Sequence, residues 1–173
     1  MRHNGTDGST RLHRLDRWLY RGGRPNRLAR AINRAWATVF ATGVLWPDRM
    51  VTLRVPGRRT GRVISFPLVV ADYQGERYLV AMLGQGTNWV HNVRAAEGRA
   101  VLRHGRSEAV RLDEVDPGAR APILRRYLAC SQGGRTHIPV GPQAPLEDFE
   151  QIAVQYPVFR ITPDRSASPP GSG

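Results

Sequence analysis

The chain has 173 residues, with 26 Lys and Arg against 14 Asp and Glu for a formal net charge of +12, and it contains no lysine, so every basic side chain is an arginine. A hydrophobic content of 40% suits one globular domain with its own core, and the single cysteine, Cys130, excludes an intramolecular disulfide. So basic a surface attracts phosphates, polyanionic ligands and acidic headgroups, while the longest apolar run, Ala35 to Trp46, falls short of the roughly 20 residues that a spanning helix needs.

Residues 1–10 are polar and aperiodic, and 165–173 reads RSASPPGSG, so both ends are expected to be disordered. A helical segment is expected over 11–46. It comprises a basic helix from Arg11 to Tyr20, a break at Gly22-Gly23, and an amphipathic helix from Asn26 to Val44 with its stripe on Leu28, Ile32, Trp36 and Phe40. Arg27, Arg30 and Arg34 lie off that stripe. Such a helix suits the barrel surface, a dimer interface or an anionic membrane. With no signal-peptide core in view, the expected location is the cytoplasm, with peripheral contact at the inner face of the plasma membrane.

From Pro47 the period changes to alternation, opening a domain expected over 47–164. Val51, Leu53 and Val55 share one strand face, and Ile64, Phe66, Leu68 and Val70 share the next across the turn PGRRTG. Further strands are expected over Glu76 to Leu83, Ala100 to Arg103, Glu108 to Val115 and Val158 to Thr162. Helices are expected over Asn88 to Ala96, capped by Thr87 or Asn88, over Pro117 to Cys130, and over Pro145 to Gln155, with a loop through Gly133-Gly134 and Pro139. Six short strands interrupted by helices, with no internal repeat, predict an α+β, mainly β fold: an antiparallel sheet closed into a barrel with flanking helices.

The turn Pro56-Gly57-Arg58-Arg59-Thr60-Gly61-Arg62 is the most informative segment. Its glycines free backbone amides to turn outward, Thr60 adds a hydroxyl, and three arginines supply charge-assisted bonds, a set that grips a phosphate or forms an ordinary solvated turn. Gly84 and Gly86 would let the backbone approach a flat ring, and a helix starting near Asn88 presents free amides to an anion. Trp89, the exception in a polar stretch, reads as the core residue of that helix with Val93. His91, His104 and His137 are too scattered for a metal site, and Cys130 reads as a small buried hydrophobe.

The string RVPGRRTGRVISFPL, followed further on by GQGTNWVHNVRA, resembles the signature of the deazaflavin-dependent nitroreductases. The resemblance spans about Arg27 to Thr162. It implies a split β-barrel related to flavin-binding oxidases. It also implies the 8-hydroxy-5-deazaflavin coenzyme F-420, with FMN as the alternative, and hydride transfer to a quinone or nitroaromatic acceptor. Residue by residue, it implies that Arg58, Arg59, Thr60 and Gly61 hold the coenzyme's phosphate and acidic tail. Arg62 would stand in for the basic residue that the family carries where this chain has Ile64. Pro67, Leu83, Gly84, Gln85, Gly86, Trp89 and Asn92 would lie near the ring or its ribityl chain, and Tyr127 near the acceptor. Many members have a longer, lysine-containing loop at Leu83-Gly84-Gln85-Gly86.

No acid-base dyad is needed on this reading, because the reduced coenzyme already holds the hydride. A homodimer is expected as an option of the fold. A non-catalytic module that binds a cofactor, lipid or nucleic acid is a separate reading. For nucleic acid, no recognised motif is present and the arginines are dispersed.

Overall fold

The structure is a computed structural model that describes residues 47–166. The expected terminal disorder at 1–10, the helical segment at 11–46 and most of the tail lie outside those residues.

Alternation sets the sheet. In β1 (Met50–Pro56), Val51, Leu53 and Val55 are buried, and antiparallel pairing sets them opposite Leu68, Phe66 and Ile64 of β2 (Val63–Tyr73). One strand face from each partner therefore fills the same interior. A two-residue turn at Gln74-Gly75, both with positive φ, leads into β3 (Glu76–Val80), as a tight hairpin between right-twisted strands requires. β4 (Arg99–His104) and β5 (Arg106–Glu114) form the second hairpin about Gly105, and β6 (Val158–Pro163) inserts between β3 and β5. All pairings are antiparallel, and the order β1-β2-β3-β6-β5-β4 closes on itself. This is the closed antiparallel barrel that the strand pattern predicts.

The interior is capped by α1 (Asn88–Ala95), whose Trp89, Val90 and Val93 join the barrel core. Trp89 packs against Phe159 with ring centroids 5.3 Å apart. A second core lies outside the barrel. There α2 (Ala121–Cys130), the short α3 (Gln132–Arg135) and α4 (Leu146–Ile152) bring Leu124, Tyr127, Leu128 and Phe149 onto Ala71, Tyr78, Val80 and Val158.

Several boundaries differ from expectation, each for a local reason. The third strand stops at Val80 rather than Leu83, because the Ala81 amide takes the Pro157 carbonyl at 2.9 Å and the Gly84 amide turns back to Ala81 O, also at 2.9 Å. The helix expected over Pro117 to Cys130 is two pieces. Asp116 caps a 3-10 turn at Pro117–Ala119 through Gly118 N, and Pro122, which tolerates only a first helical turn, starts α2 afresh. Where a loop was expected at Gly133-Gly134, Ser131 Oγ accepts from Gly134 N at 3.2 Å and opens α3. The helix over Pro145 to Gln155 ends as α at Ile152 and tightens into a 3-10 turn, Ala153–Gln155. Thr87 is the N-cap of α1 by position, but its hydroxyl donates to Gly84 O at 2.6 Å instead of capping the helix.

Candidate functional site

The β1–β2 turn is held from within and from beneath. The Gly57 amide donates to Arg62 O at 2.8 Å, the Gly61 amide to Gly57 O at 2.7 Å, and Gly61 sits at φ +66° with open space where a Cβ would stand. Beneath the turn, buried Asn92 on α1 offers its Oδ1 to the Arg58 amide at 3.2 Å and to Arg58 Nη1 at 3.3 Å, and Asn88 Oδ1 lies 3.4 Å from the same nitrogen. The turn is thus seated on the start of α1, a helix with no acidic residue in its first turn.

What this leaves outward is a donor set. The Thr60 hydroxyl accepts from Arg62 N at 3.3 Å, which leaves its own proton to give. The guanidinium groups of Arg59 and Arg62 are exposed and make no ion pair or hydrogen bond among the described residues, and neither do the Arg59 and Thr60 amides.

Immediately upstream of α1, Leu83, Gly84 and Gln85 form one wall of a cavity of about 600 Å³, whose lining is completed by Met82, His137, Val154, Gln155 and Tyr156. The arginines of the turn are not among its lining residues. Gly84 is at φ +82°, and a Cβ there would lie 3.3 Å from Gln155 O, so the two walls approach closely at this point. Among the described residues the exposed large apolar side chains are Leu83 (62%) and Val154 (55%), and both belong to this cavity. Tyr156 is nearly buried, with its hydroxyl donating to His137 O at 3.3 Å.

Several solved structures are similar to the chain at low identity. The solved structure of an F420-H2 dependent reductase, FDR-A, matches with 16% identity and a TM-score of 0.45, over 66% of this chain and 94% of that one. The conserved hypothetical protein Rv2991 from Mycobacterium tuberculosis matches with 16% identity and a TM-score of 0.48, over 73% and 79%. Atu2129 from Agrobacterium tumefaciens, of unknown function, matches with 13% identity and a TM-score of 0.49, over 74% of this chain and 54% of that one. No family model matches the chain, and no curated protein does. Likeness at this level concerns the course of the chain; the chemistry of the site rests on its own residues.

Of the residues singled out in the sequence, Arg58 to Arg62 and Asn92 come together at the turn, and Leu83, Gly84 and Gln85 line the cavity on the loop that precedes α1. Gly86 stands in open space on the same loop. The others sit differently. Trp89 is buried in the barrel core. Pro67 lies on β2, on the strand face opposite that of Phe66 and Leu68. Tyr127 is buried one layer behind the cavity, its hydroxyl donating to the sulfur of Met82 at 3.4 Å, and burial pushes its pKa up to about 12. The side-chain amide of Gln85 is engaged at both ends, accepting from Arg94 Nη2 at 3.0 Å and donating to Val154 O at 2.7 Å. Cys130 is buried, and that burial raises its thiol pKa. Among the described residues no group of His, Cys, Asp or Glu is arranged to hold a metal, and no helix is long and apolar enough to cross a membrane.

The sequence does not single out Met82, Val154, Gln155 and Tyr156, and it weighs His137 only as one of three histidines too scattered for a metal site. Val154 carried the one usable signal: it is an apolar residue off the buried side of its helical segment.

Proposed function

We propose that this protein is an oxidoreductase that binds a deazaflavin coenzyme of the F-420 type and passes hydride to a small electron-poor acceptor, a quinone or a nitro compound. The observation that carries this reading is the seating of an arginine turn on the start of α1, beside a glycine loop that walls an apolar-rimmed cavity.

The donor set fits the anionic part of such a coenzyme. Two free amides, a hydroxyl proton and the Arg59 and Arg62 guanidinium groups suit a phosphodiester together with a carboxylate of the coenzyme's acidic tail. A cavity of about 600 Å³ falls within the roughly 300–1,000 Å³ typical of small-molecule sites. When bound, the coenzyme supplies the hydride. The chain's part is to fasten, orient and dry. Arg58 is committed to Asn88 and Asn92 and keeps the turn in place, while Arg59 and Arg62 neutralise the tail. Leu83 and Val154 offer apolar cover to a flat ring or acceptor, and Gly84 keeps the backbone close. FMN would satisfy the same donors with its phosphate, and it is the second reading. Neither pairing of two copies nor contact with lipid is required by this chemistry.

The test is a titration of the full chain with coenzyme F-420 and, separately, with FMN. A saturable change in coenzyme fluorescence, stronger for F-420, is expected. Saturation by FMN alone moves the chain to the flavin reading, and saturation by neither rejects both.

A further inference from the structure

Arg120 presents a problem of burial: its side chain is only 4% exposed, and a guanidinium cannot be neutralised by losing its proton at any ordinary pH. It must be paired in place. Its Nε donates to Val115 O at 2.8 Å, Nη1 to Ala153 O at 3.2 Å and Nη2 to Glu114 Oε1 at 3.1 Å. Glu114, with its side chain 29% exposed, receives Arg94 as a fork, Nε to Oε2 at 2.9 Å and Nη2 to Oε1 at 2.7 Å. That fork, with burial working against it, holds the Glu114 carboxyl below the usual carboxylate range and raises Arg94. Arg94 Nη2 also reaches Gln85 Oε1, and Gln85 Nε2 returns to Val154 O.

Val154 follows Ala153 in the chain, so these bonds close a ring: Val154, Gln85, Arg94, Glu114, Arg120, Ala153. The ring fastens the glycine loop to the 3-10 turn at Ala153–Gln155, and those segments are the facing walls of the cavity. Both carbonyls it takes, of Ala153 and Val154, belong to the 3-10 turn that follows α4, where helical partners run out. We propose that Gln85 is a positioning residue, and that with Arg94, Glu114 and Arg120 it forms a hydrogen-bonded ring that sets the spacing between the two cavity walls. This assigns Gln85 to the protein and not to the ligand, although it stands in the lining. The inference rests on the proposed function only for what occupies the cavity; the ring itself is a property of the chain alone.

The test uses the full chain without coenzyme. Gln85→Leu keeps the bulk and removes both ends of the amide, and Arg94→Met cuts the next link at a side chain that is 38% exposed. Each is expected to speed amide hydrogen exchange about tenfold in the Gly84–Thr87 loop and at Val154–Tyr156, with the exchange of the β-strands unchanged; the melting temperature is expected to hold in Gln85→Leu and to fall modestly in Arg94→Met, which also gives up the fork on Glu114. The double variant is expected to go no further than either single one, because both cut the same arm. Unchanged exchange at Val154–Tyr156 in both variants, or effects that multiply in the double variant, overturns the ring. A second readout is the coenzyme concentration for half saturation, expected to rise in Gln85→Leu. If the wild type binds no coenzyme, the oxidoreductase reading fails while the exchange measurement still decides the ring.

Discussion

Trp89 stands where two roles compete. Its position beside the glycine loop suggests a ring contact, yet its side chain is spent on Phe159 and the barrel interior. Trp89→Ala is therefore expected to lower unfolding free energy by roughly 3–5 kcal/mol in a urea titration, as loss of a large core side chain does. A stable variant with coenzyme affinity alone reduced would contradict that assignment. Glu114 gives a second residue-scale prediction. Its carboxyl is held low in the folded state, chiefly by the Arg94 hydrogen bonds, so its contribution is present above the ordinary carboxylate range of about 4 to 4.5 and is lost as pH falls through its lowered native value. Acid unfolding monitored between neutral pH and pH 3 should show a shallower loss of stability in Glu114→Gln than in wild type. The core role of Trp89 is one of the two that the sequence allows, whereas the roles of Gln85 and Arg120 are not legible there: Gln85 lies 69 residues from the Val154 carbonyl it binds, and Arg120 lies 33 from that of Ala153.

At the scale of elements, what was readable followed from period. Val51, Leu53 and Val55 against Ile64, Phe66 and Leu68 fixed a hairpin register, because shifting by one residue would expose every one of them. The turn at Gly57 to Arg62 was readable for a related reason, since its glycines and arginines are unusual together between apolar runs. The start at Asn88 and the end at Cys130 were readable, but the tightening at the end of α4 was not, because its cause lies elsewhere in space: the 3-10 turn at Ala153–Gln155 receives Arg120 and Gln85 from two other segments. Two glycines make this testable. Gly98 is at φ +81°, and an added Cβ would meet Leu112 O at 2.6 Å, so Gly98→Ala at the α1–β4 junction is expected to cost about 2–4 kcal/mol by urea unfolding. Gly86 has open space and no such φ, and Gly86→Ala is expected to leave stability within about 0.5 kcal/mol.

For the whole molecule, charge and fold serve different ends. The barrel and its outer helical layer are closed by apolar burial, with no buried side-chain polar atom unpartnered among the described residues. The excess positive charge is therefore free to act outward. Within it, the β1–β2 turn differs from the paired arginines of the ring: Arg59 and Arg62 answer to no acid in the described part of the chain, and their turn is seated on the helix that follows directly on the Leu83–Gln85 cavity wall. If that turn holds an anion, coenzyme affinity should fall as ionic strength rises. The direct measurement is a fluorescence titration of the wild type and an Arg59→Ala/Arg62→Ala variant with coenzyme F-420 at fixed salt. Saturable binding by the wild type, weakened about 10- to 100-fold in a variant of unchanged melting temperature, is the predicted result; equal affinity in the two proteins would contradict it.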